Sequence, residues 1–252
     1  MKKFFYTLVS LVILSACGPA ENGTADGSPL VNRVISTSYD SNDVVISRRV
    51  SDYFYNSNNM VTRIDIKSDY FLNPERSSEY IIRINLKDND SDYDTYSYTL
   101  KRENTNSIER IDYNYEGDLI TSTTSTFDNN EQEDQFYQYN TRDLVIESTR
   151  NSVTYRFEYD SQDQLIERVF NIRYPDGTIA SSRTTRYSYS DIKNPFYNHT
   201  AISYRRIQNS PQYIRYSDDE TLVDIEVNDF NQPINITFLK SDNSRREMNY
   251  QY

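Results

Sequence analysis

The chain reads as an all-β protein. Its body is an antiparallel meander of repeated hairpins, curled into an open or closed barrel-like shell, with a two-sheet sandwich as the second architecture. Three observations predict this. Apolar and polar residues alternate along most of the body, as in Ile82, Ile84 and Leu86, or Tyr155, Phe157 and Tyr159. Runs of Asn, Asp and Ser interrupt the alternation at Asn56–Asn59, Asp88–Asp92, Asp128–Asn130 and Ser241–Asn243, where short polar side chains suit hairpin turns. A unit of aromatic, any residue, Tyr, Asp/Asn, polar turn and Leu/Ile then recurs along the chain.

Composition sets the outer limits. The chain has 252 residues, 36% of them hydrophobic, and a formal net charge of −11. That hydrophobic share is too small for a thick, dry core, while 24 Tyr and 11 Phe are too many for a disordered chain. A sequence pI near 4.7 excludes a phosphate-neutralising nucleic-acid surface. One Cys and one His exclude a disulfide framework, a Cys-rich zinc site and a multi-His metal centre, and no cofactor is implied.

Residues 1–16 read as a signal peptide. Lys2 and Lys3 form a positive start, and Phe4–Leu14 is apolar but too short for a permanent membrane span. Leu14-Ser15-Ala16-Cys17 resembles a bacterial lipobox. The resemblance implies cleavage before Cys17, lipid attachment to its thiol, and fatty acyl chains such as palmitate as a stable anchor. Gly18 follows the cysteine rather than the Asp that retains enteric lipoproteins at the inner membrane, so the outer membrane is expected, with the leaflet left open. Cleavage removes two lysines and no acids, which takes the mature charge to −13. Residues 17–30 hold three of the five glycines and two of the seven prolines and read as a flexible tether.

Residues 31–252 form one domain of about 10–14 strands. The recurring unit runs through Tyr53-Phe54-Tyr55-Asn56, Tyr113-Asn114-Tyr115-Glu116, Tyr137-Gln138-Tyr139-Asn140 and Phe157-Glu158-Tyr159-Asp160. Weaker copies follow Tyr39-Asp40, Tyr216 and Val227-Asn228. Each unit is one hairpin, and no hairpin is stable alone, so neighbours must pair side by side. The body has two glycines, Gly117 and Gly177, so Asn and Asp carry most of the turns, with Pro175-Asp176-Gly177 the strongest single turn signal. No capped amphipathic helix of useful length appears.

These residues resemble the YD-repeat group of RHS proteins, Tyr159-Asp160 with Leu165-Ile166 most closely. In size and layout the chain is similar to small Bacteroidetes-type lipoproteins of a domain of unknown function, with Tyr187–Phe196 resembling a late element of theirs. The resemblance covers most of residues 33–240. It implies a porin-like, curved all-β fold and an envelope location, and it implies no activity.

Candidate sites follow from chemistry. Asp88, Asp90, Asp92 and Asp94 alternate as calcium-loop ligands do, but Tyr93 and Thr99 stand where an EF-hand needs Gly and Glu, so an acidic hairpin loop is expected. His199 lies in the least strand-like stretch, near Ser203 and Tyr197, and reads as a loop histidine rather than a catalytic base. The 38 acids invite a two-carboxylate glycosidase, yet chain spacing places no such pair. The tyrosine ladder is expected to pack across strands rather than to stack ligands. Met248–Tyr252 resembles the closing strand of outer-membrane barrels, but charges interrupt both strand faces, and a final edge strand is expected instead. The only site residue expected is Cys17, for lipid attachment, with no metal and no catalytic residue. The functional expectation is a non-catalytic binding or interaction module of the outer membrane, anchored to the membrane and engaging an unknown protein or glycan. The alternatives are a surface glycan-capture lipoprotein of a nutrient-uptake system and a hydrolase of unrecognised type.

Overall fold

The computed structural model describes residues 28–86, 93–102, 105–127, 129–199, 205 and 212–252. The strands are β1 (Arg33–Tyr39), β2 (Val45–Tyr55), β3 (Val61–Tyr70), β4 (Ser78–Leu86), β5 (Tyr93–Arg102), β6 (Thr105–Glu116), β7 (Leu119–Thr126) and β8 (Gln132–Tyr139). They continue with β9 (Val145–Arg150), β10 (Val153–Tyr159), β11 (Leu165–Arg173), β12 (Ile179–Lys193), β13 (Tyr213–Ser217), β14 (Glu220–Val227), β15 (Pro233–Lys240) and β16 (Arg245–Gln251). Two 3₁₀ turns, Pro74–Arg76 and Tyr197–His199, complete the regular structure.

All sixteen strands form one antiparallel sheet in chain order, except that β1 also pairs with β16. That pairing curls the meander into a nearly closed barrel, whose single seam lies between β13 and β14. Sixteen strands exceed the expected ten to fourteen because the turns are shorter than the strand-plus-loop spacing assumed. The last strand is not an edge. β16 is paired on both sides, to β1 and β15, because Tyr250 stands opposite Val34 and Met248 opposite Ile236, joining the two halves of one apolar cluster.

Alternation decides which residues face inward. Along β8, Gln132, Asp134, Phe136 and Gln138 are exposed, while Glu133, Gln135, Tyr137 and Tyr139 are partly buried. The buried inner wall is only partly apolar. Val34, Val61, Ile66, Ile84, Ile120, Val145, Leu165 and Phe238 are buried, but so are Ser51, Ser68, Ser78, Thr123, Ser125 and Ser148. Small hydroxyl residues occupy the wall where large tyrosines on adjacent strands need room, as where Ser148 stands opposite Tyr137 and Tyr155.

The repeated turn has one geometry in five copies, led by Asp40, Asn56, Asn140, Asp160 and Asn228. In each, the side-chain oxygen of the leading residue accepts from the backbone N–H two and four positions on, as Asn140 does from Arg142 and Leu144 at 2.9 and 3.1 Å. The residue three positions on takes a left-handed conformation, with φ between 57° and 63° at Asp43, Asn59, Asp143, Asp163 and Asn231. Asn and Asp tolerate that region best after glycine, which explains how so glycine-poor a chain makes so many tight turns. The described end of the tether is also ordered: Leu30 and Val31 are 1% exposed, and the Pro29 carbonyl accepts from Gln232 at 3.1 Å.

Asn140→Ala removes both side-chain acceptor bonds while leaving the strands intact. It is expected to cost about 1–2 kcal/mol, whereas Asn140→Asp keeps the oxygen and stays near wild type; thermal unfolding of the two variants side by side checks this.

Candidate functional site: the braced interior

Five tyrosines, three of them the last residue of a strand, hold the inner face together. The hydroxyls of Tyr55, Tyr139, Tyr159, Tyr189 and Tyr252 donate to the carbonyls of Val31, Ile120, Val145, Leu165 and Pro233 at 2.7–2.8 Å. In the last four, the acceptor lies at the start of the strand paired with the tyrosine's own. Ile120, Val145 and Leu165 stand opposite Tyr115, Tyr139 and Tyr159 where the hairpin ladder shifts register, and the phenol of the next tyrosine along, Tyr139, Tyr159 or Tyr189, donates to each of their carbonyls. The repeat frame thus acquires a physical meaning. Its Tyr lies over a Val, Ile, Leu or Pro at the start of a strand, and those residues are almost fully buried. Burial pushes the phenols of Tyr53, Tyr55, Tyr137, Tyr159, Tyr189, Tyr250 and Tyr252 above their ordinary value. The tyrosine ladder is therefore a packing device, as alternation implied.

The segment Asn194–His199 crosses this end of the barrel. Phe196 lies 4.4 Å from the ring of Tyr53, and His199 Nδ1 donates to the Asn59 carbonyl at 2.8 Å. The Tyr55 ring meets His199 edge-on at 5.8 Å. β12 and β2 are far apart around the sheet, so these contacts tie opposite walls. His199, expected as a loop histidine, lies in the short 3₁₀ turn and is 6% exposed, acting as a structural tie because the segment that carries it folds across the opening.

β13 engages both of its faces. Ile214 and Tyr216 join the cluster of Val34, Ile236, Phe238 and Tyr250, while Arg215 on the other face lies over the Tyr187 ring at 4.6 Å. Further along the interior, Glu133 pairs with Arg150, and Glu220 takes Arg246 bidentately at 3.1 and 2.8 Å.

The outer wall is charged. Arg33 pairs with Asp52, Arg63 with Asp65 and Lys67 with Asp69, on the strand face opposite Val34, Ser51 and Ile66. Arg110–Asp112, Arg156–Glu147, Arg186–Glu167 and Arg245–Glu247 continue the pattern around the barrel. Exposed pairs of this kind add little stability each. Their consequence is polarity: a lipid-facing barrel wall needs an apolar outward band, and charged residues on that face are costly.

Of the residues singled out from sequence, Cys17, Asp88–Asp92 and Ser203 lie outside the described residues. Tyr197 stacks under Arg205, 4.2 Å from its ring, rather than beside a catalytic base. Among the described residues, no three His, Cys, Asp or Glu side chains gather as a metal site would require.

Residues 1–17 match the model of the prokaryotic membrane lipoprotein lipid attachment site, which supports lipid anchoring to a membrane. No curated protein matches the chain. A crystal structure of a porin-like protein from Bacteroides uniformis is similar in fold, with TM-score 0.53 and 12% identity over 88% of this chain and 97% of that one. A second, of a porin-like protein from Bacteroides vulgatus, aligns with TM-score 0.35 and 12% identity over 88% of this chain and 98% of that one.

Tyr159→Phe strands the Val145 carbonyl in a buried position and is expected to cost about 1–3 kcal/mol, read as a lower thermal midpoint with unchanged strand content. The raised phenols make a second expectation. Above pH 10, the ordinary tyrosine value, the unfolded chain loses phenolic protons that the folded chain still holds, so stability is full below pH 10 and falls as pH rises beyond it. Chemical denaturation across alkaline pH, with phenolate absorbance followed in parallel, checks both the direction and the window.

Proposed function

We propose that the chain is a lipid-anchored, non-catalytic interaction module of the bacterial outer membrane. Cys17 carries the lipid, residues after it form the tether, and the barrel stands in water beside the bilayer rather than within it. The observation that carries this reading is the run of ion pairs on the outward face, from Arg33–Asp52 around to Arg245–Glu247. A wall of that chemistry suits a solvated shell. Gly18 after the cysteine favours the outer membrane. The Tyr-Asx hairpin is read as a diverged YD-type unit used here as scaffold. Binding of a protein or glycan partner falls to the rims and to parts of the interior that the tyrosine braces leave accessible. A glycan-capture role is the second reading, favoured by the Tyr155, Phe157 and Phe170 rings gathered on the inner wall.

Membrane fractionation tests the anchor. Wild-type chain is expected in the membrane pellet after a carbonate wash, and Cys17→Ala in the soluble fraction with its folded body intact. A Cys17→Ala body that resists carbonate extraction would mean that the barrel itself inserts, and the reading would fall.

A further inference from the structure

We propose that the inner face of β11–β13 binds an acidic sugar, held by its carboxylate or sulfate group at Arg168. This deepens the interaction-module reading by giving it a ligand class, and it rests on residues independent of the anchor.

Arg168 on β11 stands opposite Phe157 on β10 and Thr185 on β12, on the face that points inward. Its guanidinium lies 5.9 Å from the Tyr187 ring centroid, and that of Arg215 lies 4.6 Å from the same ring. Two cations therefore share one aromatic ring. Arg215 also hydrogen-bonds with Tyr189. Two inward guanidiniums, Arg150 and Arg246, each hold a glutamate, and Arg168 makes no ion pair of that kind among the described residues. Among the described residues, Arg168 Nε is buried with no hydrogen-bond partner. The chain does not lack acids to place there, with 38 Asp and Glu against 27 Lys and Arg.

A buried cationic N–H without an acceptor is unfavourable, and like charges around one ring repel. An incoming oxyanion relieves both, because a guanidinium binds carboxylate or sulfate through a planar fork. The neighbouring surface suits the rest of a sugar. Tyr155 stacks beside Phe157 at 6.4 Å and tilts against Phe170 at 5.2 Å, placing aromatic surface next to the cation. Flat rings with one convergent polar group are the usual composition of a small-ligand site.

Calorimetric titration of the full chain in detergent micelles with trigalacturonic acid tests the proposal, with maltotriose as the neutral sugar and sodium sulfate as the bare oxyanion. Trigalacturonate is expected to bind, and to bind more weakly as salt is raised. Arg168→Met is expected to lower the affinity at least about tenfold, or about 1.4 kcal/mol. Arg168→Lys, which keeps the charge and loses the fork, is expected to fall between. Arg186→Met, which breaks the outer-face pair with Glu167, is expected to leave binding unchanged. Arg168→Met is also expected to keep or raise the thermal midpoint, where a purely structural arginine would lower it. Absence of trigalacturonate binding, equal binding of maltotriose, or insensitivity to Arg168→Met each overturns the site. Sulfate binding as tightly as trigalacturonate overturns the sugar half of the proposal. None of these outcomes alters the fractionation result, so failure of the ligand and failure of the anchor are distinguishable.

Discussion

A phenol donating to a neighbouring strand's carbonyl is the contact on which this barrel depends. The hairpins shift register at the start of the strands that hold Ile120, Val145 and Leu165, and the phenols of Tyr139, Tyr159 and Tyr189 reach across from the neighbouring strand to those carbonyls. Without that donor, the shift would leave a backbone group unpaired beside the core. With it, one side chain supplies a hydrogen bond, a large apolar surface and a cover for the residue beneath. The brace explains how a chain of 36% hydrophobic residues holds sixteen strands in one sheet.

The same economy shapes the wall between the braces. A Tyr on one strand requires a small neighbour, and Ser148 and Thr123 stand opposite Tyr137 and Tyr113. Their hydroxyls find local partners, as Thr123 does in the Tyr137 phenol at 3.2 Å. Among the described residues the core holds three buried clusters linked through Tyr53 and Tyr113, and contacts such as Phe196–Tyr53 and His199–Asn59 tie opposite walls across one end. Outside, charge is spent in pairs along and across strands. That charged exterior is the feature on which the proposed tethered module rests.

Much of the fold was legible in the residues. The alternation of Tyr155, Phe157 and Tyr159 set the inward face, and the leading Asp or Asn of each unit marked the turn, because a short carboxylate or amide can satisfy two backbone N–H groups itself. The tyrosine brace was only half legible: the Tyr position recurs in sequence, but its acceptor belongs to a neighbouring strand and is chosen by register. One expectation failed for the same reason: Met248–Tyr252 looked like an edge strand and is paired on both sides. The burial of the loop residue His199 is likewise set by a distant hairpin.

Local chemistry along the chain was thus enough for the strand period, the turns and the lipid attachment motif of residues 1–17, since each depends on neighbours a few positions apart. Closure of β1 on β16, the segment folded across one end and the position of Arg168 beside Phe157 and Tyr187 depend on residues about ten to more than two hundred positions apart. Those pairings arise when the twist of sixteen strands brings the two ends of the sheet together, and no local pattern encodes that distance.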